Sequence, residues 1–158
     1  KRLRSLGHDE AGVEPARKFL ERLTNEERIF KDVLPLVKLH MRPYSLWKQK
    51  AGENAVRRLA AEVTRIDRLL RVASADGSSR ESLEWLAAQA ERLAVADSAP
   101  RMIVKGRDLI ALGMKAGPRM GEALKWLYEA QLDGKFFTRE DGVSFASRFI
   151  AENLREEM

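Results

Sequence analysis

Residues 55–73 read AVRRLAAEVTRIDRLLRVA, and their spacing decides the fold. Ala55, Val56, Leu59, Ala60 and Val63 form one apolar stripe, and Ile66, Leu69, Leu70, Val72 and Ala73 continue it. Three- and four-residue steps put side chains on one face of a helix, whereas a half-buried strand alternates at every second position. The same period returns upstream. Val13, Ala16, Leu20 and Leu23 line one face with Phe19 beside them, and Ile29, Phe30, Val33, Leu34, Val37 and Met41 make another. Downstream come Leu83, Leu86, Ala87, Ala90 and Leu93, then Met120, Leu124, Leu127 and Leu132, then Val143, Phe145, Ala146, Phe149, Ile150 and Leu154. Period-two alternation is nowhere sustained. The fold class is all-α, a helical bundle.

Caps and breakers set the boundaries. Thr24 with Glu27, and Ser78 with Glu81, have capping-box spacing, in which hydroxyl and carboxylate each satisfy a free amide at a helix start. Pro35 should bend or break its helix, and Pro43 should mark its end, since proline lacks an N–H and pushes the preceding residue out of helical geometry. Pro43 to Gly52 reads as a connector with Tyr44, Leu46 and Trp47 as anchors, its aromatics expected in local core in preference to a base-stacking platform. Ala75-Asp76-Gly77-Ser78-Ser79 is the clearest loop and a candidate boundary, giving domains at 1–76 and 77–158. From Pro100 the texture changes, with Gly106, Gly113, Gly117, Gly121 and Gly134 in a short span. Asp108 to Leu112 predicts a short helix closed by Gly113, Pro118 suits the first turn of the next, Gly134 stops that one, and Thr138 caps a last helix. The second domain is thus expected to contain a Gly-rich, helix-hairpin-helix-like subdomain.

Composition narrows the function classes. A chain of 158 residues with 44% hydrophobic and 34% charged residues supports a packed core inside a solvated surface, as one domain or two small helical ones. Cysteine is absent, which excludes a structural disulfide and a thiolate zinc site and fits a reducing, cytoplasmic setting. No apolar run approaches the roughly 18 residues of a membrane span, so no membrane partner is expected. The net charge of +5 is a mild basic bias, so the placement of the cations matters more than their sum. The opening Lys1-Arg2-Leu3-Arg4 carries no initiator Met, as expected of a piece of a longer protein.

The candidate chemistry is sparse. Only two histidines occur, His8 and His40, which are candidate metal ligands but too few for a complete helical phosphohydrolase site. Glu10, Glu14, Glu21 and Glu26 read as solvated helix faces. No phosphate-cradling Lys-Ser/Thr loop and no Gly-x-Ser-x-Gly nucleophile elbow is present, so the chain by itself is expected to hold no catalytic residue. The strongest local signal is the run from Gly106 to Gly121, a helix, a glycine-bounded turn and a second helix. Helix N-termini offer amides and a positive dipole to anions. Lys105 and Arg107 stand at the entry to the first helix, and Lys115, Gly117 and Arg119 at the entry to the second. Either this corner grips phosphates, or the glycines only let helices pack closely while the cations are solvated.

That run, followed by Leu124 and Ala130-Gln131-Leu132-Asp133-Gly134, resembles the tail of bacterial tRNA nucleotidyltransferases and their poly(A) polymerase relatives. Gly7-His8-Asp9-Glu10-Ala11-Gly12 and Leu36-Val37-Lys38-Leu39-His40-Met41-Arg42-Pro43 resemble the later half of the HD domain found in some members. The resemblance implies the C-terminal helical part of an enzyme that adds nucleotides to RNA 3′ ends. The catalytic head, with its Mg2+-binding acidic pair, would lie upstream, and the tail would touch the backbone of tRNA or another RNA. It also implies that His8 matches a later HD histidine. His40 is followed by Met41 where several relatives have Asp, which leaves the metal set, His8 and His40, incomplete. Two alternatives remain open: a fragment of a metal-dependent phosphohydrolase centred on His8 and His40, and a structural helical module that forms a homodimer.

Overall fold

The stripe from Ala55 to Ala73 is shared between two helices, α5 (Glu53–Val63) and α6 (Ile66–Ala75), interrupted by Thr64 at φ 61°. The computed structural model describes residues 7–153, and every regular element among them is a helix. Lys1–Arg4 and Leu154 lie outside the described residues. Two compact units result, Lys1–Pro100 and Arg101–Met158.

In the first unit α5 and α6 bury Val56, Leu59, Ala60, Val63, Ile66 and Leu69. Around them stand α3 (Glu27–Leu39) with Leu36, α4 (Arg42–Lys48) with Leu46, and α7 (Arg80–Arg92) with Leu86 and Ala90. Because α7 shares this core, the chain divides after Pro100 and not at the expected 76/77 loop. A helix start leaves amides without partners, and at α6 the N–H of Asp67 donates to the Ala96 carbonyl at 3.0 Å. The Arg65 guanidinium donates to both oxygens of Asp67, at 2.7 and 2.8 Å, and holds that carboxyl below its ordinary range.

Several local expectations shift. Thr24 does not close a capping box: α3 begins at Glu27 behind Glu26, and the Thr24 hydroxyl accepts from the Glu26 N–H at 3.1 Å. The cap of α7 is Ser79, one residue later than Ser78, with its hydroxyl accepting from the Ser82 N–H. α3 runs through Pro35 without a break. Pro43 opens α4 instead of introducing a connector, since a proline in the first turn has no N–H to lose. Of the three anchors in that segment only Leu46 is core; Tyr44 and Trp47 are 39% and 36% exposed. α1 (His8–Ala11) and α2 (Val13–Glu21) lead into α3, yet no α2 residue is buried, and Phe19 and Leu23 are 59% and 66% exposed.

The second unit packs α8 (Gly106–Ala111), α9 (Pro118–Leu132) and α10 (Arg139–Asn153) around Val104, Leu109, Met120, Ala123, Leu127, Phe136 and Ala146. Here the predicted punctuation holds. Gly113 (φ 90°) and Gly134 (φ 72°) follow the ends of α8 and α9 in the left-handed region, Pro118 begins α9, and Thr138 accepts from the Asp141 N–H at 3.2 Å ahead of α10. Gly142 is where α10 comes closest to its neighbours. A β-carbon there would lie 2.7 Å from Val104 and 2.9 Å from the Phe136 ring.

Alanine is the better helix former, by about 1 kcal/mol, so propensity alone predicts that Gly142→Ala stabilises. Overpacking of a filled core costs about 1–3 kcal/mol, and the contact should win. Urea denaturation should show a lower midpoint for the variant; a higher one would mean that the core yields.

Candidate functional site

The tail corner is built from the turn between α8 and α9. Lys105 and Arg107 flank the first residue of α8, Lys115 lies in the turn, and Gly117 and Arg119 bracket Pro118 at the head of α9; all five are exposed. A β-carbon on Gly113, Gly117 or Gly121 would meet nothing within 4 Å. Those three glycines therefore do not serve close helix packing, whereas Gly106 does touch Met120 and Leu124 at contact distance.

Asp108 is the only acid between Lys105 and Gly121, and it is turned inward at 3% exposure. Its Oδ2 accepts from the Lys105 N–H at 2.8 Å, and its Oδ1 accepts from the Arg139 guanidinium at 2.5 and 3.2 Å. Arg139 first, and the Lys105 amide second, hold the Asp108 carboxyl below the ordinary range. Two consequences follow. The α8 entry is already occupied by a carboxylate, so its amide is not available to an outside anion. Within Lys105–Gly121 the exposed charged side chains, by contrast, are all cations. Nearby, Gln131 works as a second internal clamp: its amide donates to the Arg101 carbonyl and accepts from the Ile103 N–H, both at 2.9 Å.

The two histidines, 32 residues apart, meet in the first unit. His8 Nε2 lies 2.9 Å from His40 Nε2. The Nδ1 of His40 is 2.6 Å from the Val37 carbonyl, which can only accept, so Nδ1 carries a proton and the neutral ring presents the Nε2 lone pair. The third member is an acid that the sequence reading passed over. Asp76, at the end of α6, places Oδ2 3.4 Å from Nε2 of both rings. The set is thus completed by the Ala75–Ser79 loop, not by the residue after His40. A four-coordinate ion with bonds of about 2.0–2.1 Å holds its donors about 3.3–3.4 Å apart; the two His–Asp76 separations match this, and the imidazoles, now at hydrogen-bond distance, would part by a few tenths of an ångström. Two imidazoles with a carboxylate suit a borderline divalent metal. Spacing gave no signal for Asp76; a loop acid at a helix end reads as a turn residue until the fold brings it to the histidines.

Fold and sites together define an all-helical module with positive charge gathered at one corner and a two-imidazole, one-carboxylate set elsewhere. A family model described as tRNA nucleotidyltransferase domain 2 matches residues 6–144. A CC-adding tRNA nucleotidyltransferase of Thermus thermophilus is 35% identical over 156 residues, covering 91% of this chain and 33% of the relative. An A-adding tRNA nucleotidyltransferase of Deinococcus radiodurans is 30% identical over 154 residues, covering 92% of this chain and 36% of the relative. No solved structure matches. The chain belongs to the tRNA nucleotidyltransferase family and spans about a third of the length of these relatives. No described helix is long and apolar enough to cross a membrane.

Because the folded-state value of Asp108 is depressed, its contribution to stability is present above the unfolded carboxylate range and is lost as pH falls through the folded value. Asp108→Asn should therefore lower the thermal midpoint at neutral pH and flatten its decline between about pH 5 and pH 2. Equal acid sensitivity in variant and parent would remove Asp108 from this role.

Proposed function

We propose that this chain is the RNA-holding helical part of a tRNA nucleotidyltransferase whose nucleotidyl-transfer chemistry, with its Mg2+, resides in a separate catalytic head. The corner formed by Lys105, Arg107, Lys115, Gly117 and Arg119 contacts backbone phosphates of tRNA. One observation carries this reading: the single acid in the stretch faces inward onto Arg139, and the four charges left outside are cations, of which Lys115 and Arg119 stand near glycines with open space around them. Small residues let a phosphate approach the main chain, and cations release counterions when it does. Phosphate contacts of this kind position an RNA without reading its sequence. This suits an enzyme working in the cytoplasm on many tRNAs.

Filter binding of a tRNA transcript across a salt series tests the corner. Log affinity should fall by about 0.7–0.9 per phosphate contacted as log salt rises. Lys115→Ala with Arg119→Ala should flatten that slope by roughly 1 to 2. An unchanged slope would remove the corner from the interface, and a dimer that forms in sedimentation regardless of tRNA would favour the structural-module alternative.

A second reading rests on the triangle of His8, His40 and Asp76. This set holds one divalent transition ion, as the remnant of an HD-type site, and would fix the α1 segment to the ends of α3 and α6. Calorimetry with Zn2+ or Mn2+ should show one site that weakens by at least ten-fold in His8→Ala and in Asp76→Asn. Binding that ignores both changes would leave the triangle as a hydrogen-bonded cluster.

A further inference from the structure

Within the first unit, a cleft of about 480 Å³ lies between α4 and α7, lined by Trp47, Lys48, Lys50, Ala51, Trp85 and Gln89. From its residues we infer that this cleft is a second RNA contact, which receives an unpaired nucleotide against its indoles and the flanking phosphates on Lys48 and Lys50. The inference rests on the reading that the chain binds RNA, and deepens it by adding single-stranded or looped RNA to the backbone contact at the corner.

Three features point to such an occupant. The first is composition: two of the three tryptophans in the chain line one opening. Leu46 and Pro43 already fill the core beneath α4, while Trp47 keeps 36% of its surface in water and Trp85 is only partly buried. Aromatic faces beside cations are what sequence-tolerant single-strand binding uses, since every base has a π-face to stack. Charge is the second. Between Val33 and Gly52 the chain carries Lys38, Arg42, Lys48 and Lys50 and no Asp or Glu. Neither cleft lysine pairs with a carboxylate among the described residues; Lys48 instead rests 6.0 Å over the Tyr44 ring, which in turn lies 6.0 Å from Trp47. Carboxylates of α7 do not line the opening; its α7 polar group there is the uncharged amide of Gln89, whose oxygen accepts from Arg92 at 2.7 Å. The third is the position of Lys50. α4 ends with the Ala51 N–H on the Leu46 carbonyl and the Lys50 N–H on the Trp47 carbonyl, a motif whose left-handed position glycine usually takes. Here a lysine takes it, at φ 50°, and the residue borders the cleft.

The test uses the full chain with Trp126→Phe, which leaves both remaining indoles in the cleft. Emission is titrated with a single-stranded hexaribonucleotide and, separately, with a tRNA transcript whose binding is also followed by filter retention. Saturable quenching by the hexaribonucleotide is expected, weakened on the order of ten-fold at 0.1 M salt when Lys48→Ala and Lys50→Gly are added. Lys50→Gly relieves a left-handed side chain, so an unfolding midpoint at or above that of the parent excludes unfolding as the cause. tRNA retained without quenching overturns the cleft and leaves the corner reading standing. Quenching by the hexaribonucleotide without tRNA retention supports the cleft and sinks the tRNA reading. Quenching indifferent to both lysine changes, or no binding of either RNA, overturns the cleft.

Discussion

None of the described helices exceeds 15 residues, and several have fewer than ten. Isolated helices of this length are marginal in water, because nucleation fixes several residues for a single hydrogen bond. Most of the helices here persist through the face they bury, and α1 and α2, with no fully buried residue, lean on α3. The constraint explains why the apolar stripe of α5 and α6 tolerates an interruption at Thr64, provided that Val63 and Ile66 on either side remain in the same core. It also explains the exposure along α2, whose described neighbours are α1 and α3 and cover only part of its apolar face.

The same constraint governs polar groups. Among the described residues no buried side-chain nitrogen or oxygen lacks a partner. In the small unit this is achieved with two side chains, Asp108 and Gln131, which satisfy main-chain groups around the entry to α8 and the Arg101–Ile103 segment. Internal satisfaction has an outward effect. By drawing the acid of the corner inside, where Arg139 neutralises it, the fold separates the charges of a stretch that looks mixed on paper and leaves one sign facing solvent.

What could be read from the sequence follows from how local each feature is. Helical period, glycine stops and the Thr138 cap depend on residues within one or two turns, and they are placed correctly. The caps at Thr24 and Ser78 share that local logic but miss by a residue or more, because a hydroxyl can serve several nearby amides and packing chooses among them. The division of the chain is less legible still: the Gly-Ser loop after α6 looks like a boundary, yet Leu86 and Ala90 beyond it complete the first core. Asp76 is the clearest case. Histidines 32 residues apart can be paired on suspicion because histidine is rare here, but an aspartate among many acquires meaning only when the end of α6 meets α1 and α3. Trp85 and Gln89, opposite Trp47, were hidden in the same way.

The bond from His40 to the Val37 carbonyl has a chemical corollary. With Nδ1 committed, the ring has one basic nitrogen left, and it points at His8 and Asp76. Any ligand drawn to this ring therefore has a single direction of approach, from the side where the start of α1 and the end of α6 meet, and the bond to Val37 fixes that direction before anything arrives.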